Sequence, residues 1–107
     1  MSNWIRACAT GDVEREDVIP LEIDGHDYAV YRSPDDRYYA TDGRCTHQRV
    51  LLADGLVMGH VIECPKHNGR FDYTSGAAQR TPVTVDLCTY PVKVEDGSVF
   101  IDIESPA

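Results

Sequence analysis

Two short segments pair cysteine with histidine in a pattern suited to metal chemistry. Cys45-Thr46-His47 and Cys64-Pro65-Lys66-His67 each offer one thiolate and one imidazole, and sixteen residues separate His47 from Cys64. Thiolates suit iron–sulfur centres and structural zinc, and imidazole is a neutral donor to either. Zinc-finger spacing usually separates a cysteine pair from a histidine pair, whereas each segment here carries one of each, which favours an iron–sulfur centre over tetrahedral zinc. Pro65 stiffens the second segment, and Gly69 lets the chain turn closely past a metal.

The elements that must position these residues read as short strands. Alternating, β-branched or aromatic runs occur at 4–8, 18–23, 27–31 and 38–41, then at 56–64, 90–94 and 99–103. Turn signals separate them at Asp24-Gly25, Pro34-Asp35-Asp36, Met58-Gly59 and Asp96-Gly97. No window has a helical period with caps, although Glu14-Arg15-Glu16-Asp17 suits one helical turn. The pattern predicts an all-β fold of antiparallel sheets, a sandwich or partly open barrel. Two stretches resist assignment to strands, 42–54 and 65–82. Loops of that length in a small domain are usually functional, and each holds half of the cysteine–histidine set.

A chain of 107 residues has room for one core, so a single domain is expected over 1–107. Eighteen acidic residues against ten basic ones give a net charge of -8, which repels nucleic acid and anionic lipid. The acidity serves solubility or steers the protein toward a basic patch on a partner. The first residues lack a basic segment followed by an apolar run, and no stretch is long enough to span a bilayer, so a cytoplasmic, membrane-free location is expected. In that reducing setting cysteine spaced with histidine signals metal rather than disulfide. Cys8 and Cys88 lie in strand-like runs and read as small buried hydrophobes, while His26 and His60 read as exposed turn residues.

The combination Cys-x-His and Cys-Pro-x-His, with Gly69, Phe71 and Asp72 downstream, resembles the signature of Rieske iron–sulfur proteins. Length, strand order, the run Tyr90-Pro91-Val92-Lys93-Val94 and the Asp96-Gly97 turn extend the resemblance to standalone bacterial Rieske ferredoxins over nearly the whole chain. Residues 31–36 and 64–73 look most like the ferredoxins of rhizopine catabolism. The resemblance implies a Rieske-type fold whose two ligand loops form a cluster-binding end. It implies one [2Fe-2S] cluster per chain, with Cys45 and Cys64 on one iron and His47 and His67 on the other.

It also implies a one-electron carrier, not itself an enzyme, that passes electrons from a flavin-containing ferredoxin reductase to a terminal Rieske non-haem iron oxygenase, with a monomer expected. A redox-sensing or regulatory module and a small subunit of a nitrite-reductase-type oxidoreductase are the competing readings. High-potential relatives carry a disulfide-forming cysteine in each loop, where this chain has Val50 and Lys66. They also present Ser and Tyr hydroxyls where this chain has Gly69 and Phe71. Fewer hydrogen bonds to sulfur place the potential near the low end of the Rieske range, roughly -150 mV. Phe71 and Tyr73 suit either cluster shielding or the core, and Pro82 resembles the proline loop that covers the cluster in relatives. The histidine-bound iron is expected nearer the surface, with Gln48, Arg49 and Lys66 beside it.

Overall fold

The computed structural model describes residues 3–47, 49–66, 68–81 and 83–104. Eleven strands lie among them, in three antiparallel sheets. The first sheet joins β1 (Trp4–Ala9), β11 (Ser98–Asp102) and β10 (Val92–Glu95), in that order. The second runs β2 (Asp17–Ile23), β3 (His26–Arg32), β4 (Tyr38–Asp42) and β9 (Thr89–Tyr90). The third consists of β5 (Leu56–Met58), β6 (Val61–Glu63), β7 (Arg70–Asp72) and β8 (Ala78–Arg80).

The alternating segments form as their periodicity requires. β2 and β3 pair over seven residues from Asp17↔Arg32 to Ile23↔His26, closed by Asp24 and Gly25 at φ 50° and 83°. Pro20 is tolerated within β2 because that strand is the edge of its sheet. The run at 90–94 is divided at Pro91, leaving β9 on the second sheet and β10 on the first.

Two expectations need correction. No helical turn forms at 14–17: Glu16 takes a left-handed φ of 57°, and its carboxylate accepts the Gly59 N–H at 2.8 Å. The nearby 3-10 turn lies instead at Thr10–Asp12, where the Asp12 carboxylate accepts the Ala9 N–H at 2.9 Å. The stretch 65–82 is not free of strands, because β7 and β8 lie within it and continue the β5–β6 hairpin.

Strand order explains how the site is placed. β4 and β9 are neighbours, so everything from 43 to 88, including both cysteine–histidine segments, is an excursion from one edge of the second sheet. One hydrophobic core joins the two: Val18, Ala29 and Tyr31 of the second sheet pack with Cys45, Leu52, Ile62, Cys64, Phe71 and Tyr73 of the excursion. Tyr31 and Tyr73 stack with ring centroids 4.5 Å apart and planes 3° from parallel. No helix among the described residues is long and apolar enough to cross a membrane.

Candidate metal centre

The two cysteine–histidine segments close in the same way. In the first, the Cys45 N–H donates to the Val50 carbonyl at 2.9 Å, five residues on, and Arg49 occupies a left-handed φ of 61°. In the second, the Cys64 N–H donates to the Gly69 carbonyl at 2.7 Å, again five residues on, and Asn68 has φ 58°. Each cysteine therefore opens a tight loop of common geometry despite the different cysteine–histidine spacing. Asparagine visits the left-handed region readily and arginine does not. The arginine conformation is held by the Arg49 N–H donating to Cys45 O at 2.9 Å and by the Arg44 guanidinium, which donates to Arg49 O at 2.8 Å and pairs with Asp27 at 2.7 Å.

The two thiols converge in the interior. Cys45 and Cys64 are 0% and 1% exposed, and their side chains are in hydrogen-bonding contact. Burial pushes the Cys64 thiol up from 9.0 to about 11; the Lys66 N–H directed at its sulfur lowers it, and the Cys45 thiol adds to the rise. An apolar wall of Leu52, Ile62, Phe71 and Tyr73 surrounds the pair. Phe71 and Tyr73 are each 0% exposed and belong to the core that contains both thiols. His47 sits exposed in the turn after Cys45. His67, the fourth expected ligand, lies outside the described residues, as do Gln48 and Pro82. Among the described residues no group of three metal-binding side chains assembles without it.

A third loop, undetected by spacing, completes the end. The Thr46 hydroxyl donates to the Val85 carbonyl at 2.7 Å, tying residues 83–87 to the first ligand loop. Val83 lies over Gly69 so closely that a Cβ there would stand 2.6 Å from its Cγ1. The Leu87 N–H donates to the Gly76 carbonyl at 2.7 Å, anchoring the loop to the β7–β8 turn. Two buried thiols in contact, with an exposed imidazole two residues after the first, supply sulfur and nitrogen donors of the kinds an iron–sulfur centre takes.

The Rieske [2Fe-2S] domain family matches residues 3–91. The chain belongs to that family. Its cofactor is accordingly a Rieske-type [2Fe-2S] cluster, and the convergent thiols fit one. The chain is 42% identical over 102 residues to the ferredoxin component of the naphthalene 1,2-dioxygenase/salicylate 5-hydroxylase systems of a Ralstonia species, covering 95% of this chain and 97% of that one. A ferredoxin of Sphingomonas yanoikuyae B1 superposes with a TM-score of 0.87 at 39% identity, covering 94% of this chain and 98% of that one. The structure of reduced oxygenase with oxidized ferredoxin in carbazole 1,9a-dioxygenase gives 0.87 at 36% identity, covering 92% of each chain.

The remaining cysteines and histidines lie elsewhere. Cys8 is 6% exposed in the core of the first sheet, as expected of a small hydrophobe. Cys88 is half-buried, and its carbonyl accepts the Asp42 N–H at 2.9 Å where the excursion returns. His26 and His60 are both exposed, bonded to Asp42 at 2.7 Å and Asp35 at 3.4 Å.

Proposed function

We propose that this Rieske protein is a one-electron carrier that receives electrons from a flavin-containing reductase and delivers them to a Rieske non-haem iron oxygenase. It works as a monomer of one domain, 1–107, in the cytoplasm. Cys45 and Cys64 hold one iron as thiolates, and His47 and His67 hold the other as neutral imidazoles. When bound, the cluster supplies reversible one-electron chemistry. The observation that carries the reading is the difference in exposure along one ligand loop, from the sealed thiol of Cys45 to exposed His47 two residues later. Leu52, Ile62, Phe71 and Tyr73 exclude water from the sulfur side, while the imidazole offers a partner a neutral edge. The ferredoxin names of relatives matched along nearly their whole length support the same assignment.

The test is reconstitution. Purified protein should carry two irons and two acid-labile sulfides per chain, accept electrons from a ferredoxin reductase and support turnover by an oxygenase from the same gene neighbourhood. Stoichiometric zinc after anaerobic loading with iron and sulfide would overturn the ligand assignment. A loaded protein that is reduced yet supports no oxygenase would overturn the carrier role in favour of a sensor.

A further inference from the structure

We propose that the ligand-loop end docks onto an acidic collar of the redox partner, through a cationic ring formed by Arg49, Lys66 and Arg80; this rests on the carrier reading above. The first observation is how the cations are paired. Six of the ten form salt bridges: Arg15, Arg32, Arg37, Arg44, Arg70 and Lys93. Arg6 donates instead to the Ser98 hydroxyl at 3.0 Å. Arg49, Lys66 and Arg80 are all exposed and have no acidic partner among the described residues.

All three belong to the same end of the molecule. Arg49 closes the first ligand loop, and Lys66 lies in the second with its N–H toward the Cys64 sulfur. Arg80 ends β8, and its carbonyl accepts the N–H of Val83, which covers Gly69, at 3.2 Å. Beside them Val85 is 61% exposed, its carbonyl held by Thr46, which gives the ring an apolar member. The second observation is backbone conformation. Arg49 holds a left-handed φ of 61° that glycine would adopt without strain, so the side chain is retained against local preference.

The distribution of charge along the chain points the same way. Residues 43–88 hold five cations against Asp54, Glu63, Asp72 and Asp86, a surplus of one positive charge in a chain of net -8, and the acids beside the ligand loops are engaged: Asp27 by Arg44 at 2.7 Å, Asp42 by His26 at 2.7 Å and Asp86 by the Ala78 N–H at 2.8 Å. The opposite end, at the β3–β4 turn and the segment before β2, holds Asp12, Glu14, Glu16, Asp17, Asp35 and Asp36 against Arg15, Arg32 and Arg37. The molecule is 38 Å long, so at roughly 0.1 M salt, where screening acts over ~10 Å, a partner at the ligand loops feels Arg49, Lys66 and Arg80 with the engaged acids beside them, and little of the acids at the far end.

The test uses small redox ions on dithionite-reduced holoprotein followed by stopped flow. Each transfer moves one electron from the reduced cluster to hexacyanoferrate(III), leaving a diferric cluster and hexacyanoferrate(II), with no proton moved. Oxidation by this anion should slow as potassium chloride is added, and oxidation by the cation hexaammineruthenium(III) should accelerate. Arg49→Glu, Lys66→Glu and Arg80→Glu should each slow the anion by about fivefold at low salt. Arg37→Glu, an equal change in net charge at the far end, should leave it nearly unchanged. Arg49→Gly, which removes the charge and the strain together, should slow it by a smaller factor.

An independent readout is microwave power saturation of the reduced cluster's electron spin resonance, which redox-inert hexacyanochromate(III) should relieve more than hexaamminechromium(III). Anion rates that rise with salt, or that respond to Arg37→Glu as to Lys66→Glu, would overturn the cationic ring. These readouts involve no oxygenase. Lost oxygenase turnover with anion preference intact would overturn only the carrier reading, and intact turnover without anion preference would overturn only the ring.

Discussion

The contact between Gly69 and Val83 makes a prediction whose sign depends on one neighbour. Gly69 is buried and has no positive φ, so alanine fits its backbone; such a change ordinarily stabilises by about 0.4–1 kcal/mol through the unfolded chain. Here the new methyl would stand 2.6, 3.3 and 3.4 Å from Val83 Cγ1, Cγ2 and Cβ. Carbon–carbon contacts are optimal at roughly 3.5–4.0 Å, so the nearest falls short by about 1 Å. Val83 is 4% exposed and stiff about χ1, and it cannot rotate away cheaply. Nor can Gly69 retreat freely, since its carbonyl holds the Cys64 N–H at 2.7 Å. Gly69→Ala should therefore destabilise by about 1–3 kcal/mol. Val83→Ala alone should cost about 1.5 kcal/mol for two buried methyl groups. In the double variant the added methyl enters vacated space, so the combined loss should fall short of the sum by at least ~1 kcal/mol. The assay is the urea midpoint for loss of visible cluster absorbance in all four proteins. An unchanged midpoint for Gly69→Ala, or strictly additive losses, would refute the packing argument.

Two further outcomes follow from buried polar groups. Tyr31 and Thr41 share a hydroxyl–hydroxyl bond of 2.8 Å in the interior, and Thr41 also bonds to the Asp42 carbonyl at 2.7 Å. Tyr31→Phe leaves Thr41 satisfied and should cost about 1 kcal/mol, whereas Thr41→Val strands the tyrosine hydroxyl and should cost about 2 kcal/mol or more in urea unfolding. In protein stripped of iron and sulfide, Cys64 has its thiol raised from 9.0 to about 11 by burial. A raised folded-state value favours the neutral form, so stability present below pH 9 should be lost as pH climbs toward 11. Urea midpoints should fall across that window in the apoprotein and stay level in the loaded protein, where a metal-bound sulfur has no proton to lose.

Much of this was legible in the sequence because strand periodicity and turn residues agree. β2 alternates, β3 and β4 are rich in aromatic and β-branched residues, and their turns carry Asp-Gly or Pro-Asp-Asp. β7 escaped because Arg70-Phe71-Asp72 is three residues with one apolar side chain, too short to show a period. It forms because the β5–β6 hairpin presents an edge on which Ile62 meets Phe71 and Glu63 meets Arg70, the last two also joined by a 2.9 Å ion pair. The likeness of the two ligand loops was hidden for another reason. Its marker is a left-handed residue four places after each cysteine, and the first of these is an arginine, which gives no such signal. The third loop depends on Thr46 bonding to a carbonyl 39 residues away, a contact that no local pattern encodes.

Placing the ligands in an excursion joined to the second sheet has an energetic consequence. β4 and β9 pair over only two positions, Ala40↔Tyr90 and Thr41↔Thr89, with the Asp42 N–H to Cys88 carbonyl bond of 2.9 Å beside them. So short a clamp cannot by itself offset the entropy of closing residues 43–88. The balance comes from the shared core, in which Tyr31 of β3 stacks on Tyr73 while Phe71 and Ile62 pack with Cys45 and Cys64. The thiols are thus members of the same core that holds the excursion to the sheet. Truncating Tyr31 would loosen the ligands although it touches neither loop by sequence, and loading the cluster would in turn stabilise the second sheet, because anything that binds only the folded state shifts folding toward it.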